Sequence, residues 1–104
     1  MRRTAPILLL LAAAASLAAR AADDGKVLYE TKCALCHGKD GVAKPAGRGS
    51  RNFNDPAFQA SSSIESIAQV TTDGKGKMPA YRSKLSPEQI RLIASHVKTL
   101  GPAK

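Results

Sequence analysis

The sequence predicts an all-α fold for a single small domain. Two segments begin with serine in a capping-box pattern and continue with apolar residues at helical spacing. A third segment places Gly25, Tyr29, Cys33 and Cys36 at intervals of four, four and three, which puts them on one face of a helix. No segment shows the alternating pattern or the β-branched enrichment of a convincing strand.

The first residues have the pattern of a secretory signal peptide, predicted to span residues 1–21. A basic Met1-Arg2-Arg3 start precedes the apolar run from Ile7 to Leu17, and Ala19-Arg20-Ala21 provides a small-x-small cleavage site. Cleavage leaves residues 22–104 as one domain of about 83 residues. The apolar run is too short for a stable bilayer span, so we expect no stable membrane insertion. Retention of the segment as an anchor is the alternative.

The first helix is expected to begin at Asp23 or Asp24, where a carboxylate can accept from free amides, and to run to about Cys36. Residues 38–60 are rich in Gly, Pro, Lys, Asn and Ser, which predicts a long loop. Within that loop, Asp55-Pro56 predicts a short helical turn, with aspartate as the cap and proline in the first helical position.

The middle helix is predicted over residues 63–72, with Ser62 and Glu65 as its capping box and Gly74 as its end. Its apolar stripe consists of Ile64, Ile67, Ala68 and Thr71. The last helix is predicted to begin after Ser86 and to stop at Gly101-Pro102. Pro87 and Gln89 complete its start, and its buried stripe consists of Ile90, Ile93, Ala94, Val97 and Leu100.

The strongest functional signal is the run Cys33-Ala34-Leu35-Cys36-His37, a C-x-x-C-H motif that is typical of covalent haem attachment. Each thiol can form a thioether with one haem vinyl group, and the adjacent imidazole can bind the iron. A thioredoxin-like redox motif would need a preceding strand and a βαβ context. A zinc site would need four ligands, and only His96 remains to add to these three. A plain disulfide would make His37 incidental.

Met78 is the predicted second axial ligand of the iron. It lies 41 positions after His37 in Gly74-Lys75-Gly76-Lys77-Met78-Pro79, a turn-forming and charged segment that is unusual for a core methionine. Together they give His/Met ligation. His96 is the rival ligand, although it falls inside the last helix, and an open or weakly held position is a third possibility.

At these residues the chain resembles a class I c-type cytochrome of the small bacterial monohaem kind. The resemblance is carried by Gly25-Lys26-Val27-Leu28-Tyr29 before the motif, by Asn54-Asp55-Pro56-Ala57-Phe58, by the methionine loop and by Leu85-Ser86-Pro87-Glu88-Gln89-Ile90. It implies the small cytochrome c fold, in which three main helices and a short helical turn wrap around one covalently attached haem c.

The resemblance also implies roles for further residues. The last helix would cross the first near Gly25, with Ile93 and His96 close to Gly25 and Tyr29. The carbonyl of Pro45 would accept a hydrogen bond from the free N–H of His37. Apart from the resemblance, Tyr81 is a candidate packing residue at the exposed haem edge, with a plain hydrophobic lid as the alternative. Family members commonly carry an aromatic residue where this chain has His96.

Composition supports a cofactor independently of the motif. The chain has no tryptophan, two tyrosines and two phenylalanines, so a domain of this size has little apolar surface to bury by itself. A haem would supply one large flat apolar surface, and we therefore expect the apoprotein to be largely unfolded.

Charge bounds the partners. Thirteen basic and eight acidic residues remain in residues 22–104, and four of the basic ones, Lys75, Lys77, Arg82 and Lys84, surround Met78. Such a rim suits redox partners with acidic docking surfaces, although an ordinary solvated loop has the same composition. Few aromatics and no basic helix argue against nucleic acid.

The function that these observations favour is electron transfer rather than enzymatic catalysis. The sequence predicts a soluble, exported, periplasmic carrier of one electron, acting as a monomer through a haem edge near Met78. Two alternatives stay open. One is a haem subunit of a larger oxidoreductase complex, and the other is a gas- or peroxide-binding protein with a labile sixth ligand.

Overall fold

A computed structural model describes the backbone of residues 5–101 and the side chains of residues 19–101. The elements in chain order are α1 (Ala5–Lys32), α2 (Ala34–His37), a 3-10 turn (Pro45–Gly47), α3 (Pro56–Ser61), α4 (Ile64–Asp73) and α5 (Pro87–Thr99). Within the described range the only β-type pairing is an isolated bridge between Lys75 and Met78. The predicted all-α class is confirmed.

Helix α1 differs from its prediction at the N-terminal end. It runs without a break from Ala5 through Asp23 and Asp24 to Lys32, rather than beginning at those aspartates. The physical reason is that residues 7–19 consist mainly of alanine and leucine, which have high helix propensities, and contain no proline or glycine. The proposed signal peptide falls mostly among residues whose side chains lie outside the described range, and so does Pro102.

The same helix also ends earlier than predicted, because it breaks at Cys33. The Cys33 amide still donates to the Tyr29 carbonyl at 2.8 Å, but the amides of Cys36 and His37 both donate to the Cys33 carbonyl, at 3.2 and 2.9 Å. Helix α2 is therefore a separate short turn that carries the second half of the C-x-x-C-H motif.

The predicted capping box of α4 is wrong by one residue. Ser63 caps the helix, and its hydroxyl accepts from the Ser66 amide at 3.0 Å while the Ser66 hydroxyl accepts from the Ser63 amide at 2.9 Å. Ser62 is unavailable because it forms the extended C-cap of α3. Helix α4 accordingly covers Ile64–Asp73 rather than residues 63–72, and the predicted end at Gly74 is confirmed, with φ at 77°.

Two other helix starts are confirmed as predicted. Asp55 caps α3 by accepting from the Ala57 amide at 3.0 Å, with Pro56 in the first helical position. Ser86 and Gln89 form the capping box of α5, with bonds of 2.9 and 3.1 Å between their side chains and each other's amides.

The core lies where α1 crosses α5, with α4 packed against α5. Gly25 sits at the crossing, and a Cβ atom built there would lie 2.5 Å from the Leu92 carbonyl oxygen, so only glycine permits this approach. Tyr29 is completely buried and Ile93 is 2% exposed. The buried apolar residues of the core are Tyr29, Ile67, Leu85, Ile90, Ile93, Ala94 and Val97.

Two polar side chains fasten α3 to α5. The Gln59 amide nitrogen donates to the carbonyls of Phe53 at 2.6 Å and Val97 at 2.9 Å. The Lys98 ammonium donates to the carbonyls of Gln59 and Ser62, each at 2.6 Å. These bonds satisfy carbonyls at the ends of both helices, so the segment that contains Phe53 and Phe58 is held against the core.

Across the part of the chain that the structure describes, no helix combines the length and the apolar character needed to cross a bilayer.

Candidate haem site

The haem-attachment segment, defined here as residues 33–37, is built by the close approach of the following loop. The Lys44 amide donates to the Cys36 carbonyl at 2.8 Å. A Cβ atom at Gly47 would lie 2.2 Å from the same carbonyl oxygen, so this glycine lets the 3-10 turn rest directly on the motif. These backbone contacts hold the segment in place. They do not involve the thiol group of either cysteine.

Both cysteines are free thiols and are half-buried. Burial raises the pKa of Cys33 to about 11, with the neighbouring Cys36 adding to the effect. No group of three or more His, Cys, Asp or Glu side chains among the described residues is arranged to hold a metal ion. The disulfide and zinc alternatives thus gain no support from the geometry.

His37 follows directly and has the properties of an iron ligand. Its ring stacks on Phe53, with centroids 4.6 Å apart and planes inclined by 23°. Burial lowers its pKa, so the imidazole is neutral at neutral pH, and the neutral form is the one that binds metals. Its Nδ1 atom is buried and has no hydrogen-bond partner. Buried polar atoms are rarely left without a hydrogen-bond partner. The unpaired Nδ1 atom therefore indicates that a further group belongs in the environment of the His37 ring.

The predicted hydrogen bond from His37 to Pro45 is not made in this structure. The Pro45 carbonyl accepts instead from the Arg48 amide at 3.3 Å, because Pro45 begins a 3-10 turn that uses its carbonyl internally. The turn that carries Gly47 therefore places Pro45 beside the attachment segment, without a hydrogen bond to the buried Nδ1 atom of His37.

Tyr29 supports the backbone immediately after His37. Its hydroxyl donates to the Gly38 carbonyl at 2.6 Å from a fully buried position. Burial raises its pKa, with smaller effects from Cys33 and Asp40, so the hydroxyl keeps its proton and remains a donor. Gly38 has φ at 75°, a conformation that ends α2 and turns the chain away from the motif.

Met78 lies in a tight two-residue turn. The Lys75 and Met78 backbones exchange two hydrogen bonds of 3.1 and 3.0 Å, and Gly76 adopts φ at 58° in the first central position, as a type II′ turn requires. Gly74 also has positive φ, and a Cβ atom there would lie 2.6 Å from the Met78 carbonyl oxygen. The methionine loop, residues 74–80, is thus shaped by its glycines, and it leaves the Met78 side chain half-buried.

Tyr81 connects this loop to the attachment segment. Its hydroxyl donates to the Lys32 carbonyl, the last residue of α1, at 3.2 Å. Burial raises the pKa of Tyr81, and the nearby thiols of Cys33 and Cys36 raise it further. One side chain therefore brings the sequence-predicted methionine and cysteine segments into the same neighbourhood.

His96 lies in the helix crossing. Its ring is 5.1 Å from that of Tyr29 and inclined by 49° to it, so it packs where an aromatic side chain was expected from the resemblance. Burial lowers the pKa of His96. The charge of Glu30 acts to raise this pKa, and the charge of Lys26 acts to lower it further. This placement favours Met78 over His96 as the distal ligand.

The residues present fit a covalently attached haem. They supply two free thiols, a neutral imidazole with an unsatisfied buried nitrogen, and a half-buried thioether in a loop tied to the same segment. Nitrogen and thioether are the axial donors of low-spin haem electron carriers.

A helical fold with this donor set defines a c-type cytochrome. Residues 20–97 match the family described as "Cytochrome C oxidase, cbb3-type, subunit III", and the chain belongs to this family.

Among its relatives is the cbb3-type cytochrome c oxidase subunit FixP of Azorhizobium caulinodans, 35% identical over 82 residues. That match covers 78% of this chain and 28% of FixP, so the chain spans little more than a quarter of that relative. Cytochrome c6 of Leptolyngbya boryana is also 35% identical, over 76% of this chain and 91% of its own length. The solved structure of the KustC0563 c-type cytochrome superposes with a TM-score of 0.70 at 32% identity, covering 74% of this chain and 96% of that one.

These findings confirm the predicted family, fold and cofactor. The chain is a member of the cytochrome c family, with one covalently bound haem c as its cofactor.

Sequence reasoning missed three contributors to the site. Gly47 allows close contact with Cys36, and the Lys32 carbonyl accepts from Tyr81; no local sequence pattern predicts either contact. Gln59 donates to carbonyls of residues 6 and 38 positions away in the sequence. The sequence offered one signal for these contacts: Gly47 lies in the glycine- and proline-rich loop that follows the motif, and a glycine in such a loop can allow close backbone approach.

Proposed function

We propose that this chain is a soluble, exported one-electron carrier whose haem is attached through Cys33 and Cys36 and bound axially by His37 and Met78. The observation that carries the proposal is the hydrogen bond from Tyr81 to the Lys32 carbonyl, because it joins the residue that follows the methionine loop to the residue that precedes the two thiols and the imidazole. Cleavage after residue 21 and a periplasmic, monomeric protein complete the proposal.

The bound haem supplies an iron that alternates between the ferric and ferrous states. The chain's own residues hold it. Phe53 stacks on His37 and limits the rotation of its ring, while Tyr29 fixes the carbonyl of Gly38 next to it. The glycine-shaped turn presents Met78 at the surface side of the domain, and filling both axial positions would leave no place for a substrate on the iron.

The charge around Met78 supports docking to acidic redox partners. Lys75, Lys77, Arg82 and Lys84 are all exposed. Arg82 pairs with Asp73, and the Lys84 ammonium lies 5.4 Å from the centre of the Tyr81 ring. Arg82 is the member paired with a carboxylate, so Lys75, Lys77 and Lys84 carry most of the free positive charge on this rim, which favours association with anions at a rate that falls with salt.

The ligand assignment is tested by the near-infrared sulfur-to-iron band of the oxidised protein. Met78→Ala should abolish the band and lower the reduction potential, because an electron-accepting thioether is lost. His96→Ala is the control and should keep the band. A band that survives in Met78→Ala, or that disappears in His96→Ala, would contradict Met78 as the ligand. A pyridine haemochrome spectrum with intact mass checks the two thioethers and the cleavage site together.

The docking surface is tested with small redox reagents of opposite charge. Oxidation of the reduced protein by ferricyanide, an anion, should slow as salt rises and slow further in Lys75→Gln/Lys77→Gln. Lys39→Gln/Lys44→Gln removes the same charge from residues of the loop after the motif and should have a smaller effect. A cationic cobalt oxidant should show the opposite salt dependence.

A second function is favoured by the family match itself, since the matching family is named for an oxidase subunit. In that case the domain would work as a haem subunit within a larger complex. Isolation from the native membrane and periplasmic fractions distinguishes the two: a fixed stoichiometric partner supports the subunit, and a free monomer supports the carrier. Rapid carbon monoxide binding by the reduced protein would instead indicate a labile sixth ligand.

A further inference from the structure

The break in the first helix leaves a carbonyl that needs a donor. In a continuous helix the Lys32 carbonyl would accept from the amide of Cys36, four residues later. Here the Cys36 amide donates to the Cys33 carbonyl instead. The Lys32 carbonyl at the end of α1 is satisfied by the Tyr81 hydroxyl, at 3.2 Å.

The backbone of Tyr81 also makes hydrogen bonds. Its amide donates to the Thr71 carbonyl at 3.0 Å, near the end of α4. Its carbonyl accepts from the amides of Lys84 and Leu85, both at 3.0 Å. Tyr81 is therefore anchored to α4 at its backbone and to α1 at its hydroxyl, three residues after Met78 in the chain.

Among the hydrogen bonds of the described residues, one joins residues 74–81 to residues 32–37. The methionine loop itself is held by the two bonds between Lys75 and Met78, which are internal to the loop. The Tyr81 hydroxyl spans 49 positions in the sequence to reach Lys32, the residue that precedes the attachment segment. This bond thus relates the position of the loop to the segment that carries His37.

We propose that Tyr81 is a positioning residue whose hydroxyl holds the methionine loop against the attachment segment and thereby slows the departure of Met78 from the iron. The proposal rests on the proposed ligation by Met78. It differs from a simple apolar lid, because a lid needs only the aromatic ring whereas this role needs the hydroxyl.

The test uses the oxidised haem protein and measures how fast imidazole displaces Met78, followed by loss of the near-infrared band. Displacement by this route is limited by loop opening at high imidazole. Tyr81→Phe keeps the ring and should speed displacement about fivefold, as expected for the loss of one ordinary hydrogen bond. Thr72→Val is the matched control, because it removes a hydroxyl that donates to the Ala68 carbonyl within α4 and links no other segment. It should change the rate by less than about twofold.

Equal rates for Tyr81→Phe and the unaltered protein would overturn the proposal, and so would an equal acceleration in Thr72→Val. If the unaltered protein shows no near-infrared band, the assignment of Met78 as ligand fails on its own. In that case, amide hydrogen exchange at Lys75 and Tyr81 of the haem protein tests whether the Tyr81 hydroxyl restrains the loop, whatever the iron ligand is. Faster exchange in Tyr81→Phe supports the restraint, and unchanged exchange refutes it.

Discussion

The helix crossing and the methionine loop are held together in different ways. At the crossing, Gly25 brings two backbones together and Tyr29 and Ile93 are excluded from solvent. In the loop, residues 75–77 are exposed, and order comes from a two-residue turn and from the hydrogen bonds of Tyr81. The helix crossing is thus stabilised by packing, and the loop that carries Met78 is stabilised by hydrogen bonds and glycine conformations.

This difference implies that stability and iron ligation are separable properties. Packing defects at the crossing should lower the free energy of unfolding while leaving the distal ligand in place in the folded protein. Changes in the loop should alter the ligand field more than they alter stability, because exposed backbone hydrogen bonds contribute little to the total.

The largest effect is expected from removing the cofactor. Cys33→Ala/Cys36→Ala abolishes attachment, and seven buried apolar residues form too small a core to hold a domain of this size. We expect the variant to lack a cooperative thermal transition by circular dichroism. A native-like cooperative melt without haem would show that the crossing is stable by itself and would make the packed side independent of the cofactor.

At the crossing, Gly25→Val should destabilise the haem protein by about 3 kcal/mol, because its Cβ would collide with the Leu92 carbonyl and the helices would have to separate. Urea titration measures the loss. Lys26→Val, at the exposed position next to Gly25 in the same helix, controls for helix propensity and should change stability by less than about 1 kcal/mol. The near-infrared band of folded Gly25→Val should be retained, and its loss would contradict the separation of the two regions.

In the loop, Gly74→Ala and Gly76→Ala form a matched pair. Both glycines have positive φ, but a Cβ atom at Gly74 would meet the Met78 carbonyl at 2.6 Å, whereas nothing lies within 4 Å of one at Gly76. Gly74→Ala should weaken or abolish the near-infrared band and cost about 2 kcal/mol, and Gly76→Ala should keep the band and cost about 1 kcal/mol. Equal spectra for the two variants would mean that the Gly74 contact does not position Met78.

The smallest effect concerns pH at the crossing. Burial lowers the pKa of His96, so its neutral form stabilises the fold above the unfolded pKa and this contribution is lost as pH falls through the folded pKa. Glu30 opposes the shift and Lys26 reinforces it. Stability should therefore decline between pH 7 and pH 5, and His96→Phe should decline less over that interval. Urea midpoints at both pH values provide the measurement, and parallel declines would exclude His96 as the source.

Much of the local structure was predictable because its signals lie within a few residues of one another. The Ser86 capping box, the Asp55 cap of α3 and the Gly74 stop of α4 are all present as predicted. The placement of Gly25 and His96 at the crossing followed from the resemblance and is confirmed. Where three serines stand in succession at residues 61–63, adjacent registers are locally equivalent, and the end of α3 decided between them.

The sequence alone therefore determined the helical class, the haem motif and its family, because each depends on short-range spacing and residue type. Only the tertiary structure decided the break at Cys33, the contact of Gly47 with Cys36 and the bond from Tyr81 to the Lys32 carbonyl. It also directed the Pro45 carbonyl to Arg48 instead of His37. Each of these features involves a backbone group whose partner depends on which distant segment comes close to it. Every amino acid has a backbone carbonyl, so the residue type does not predict that partner.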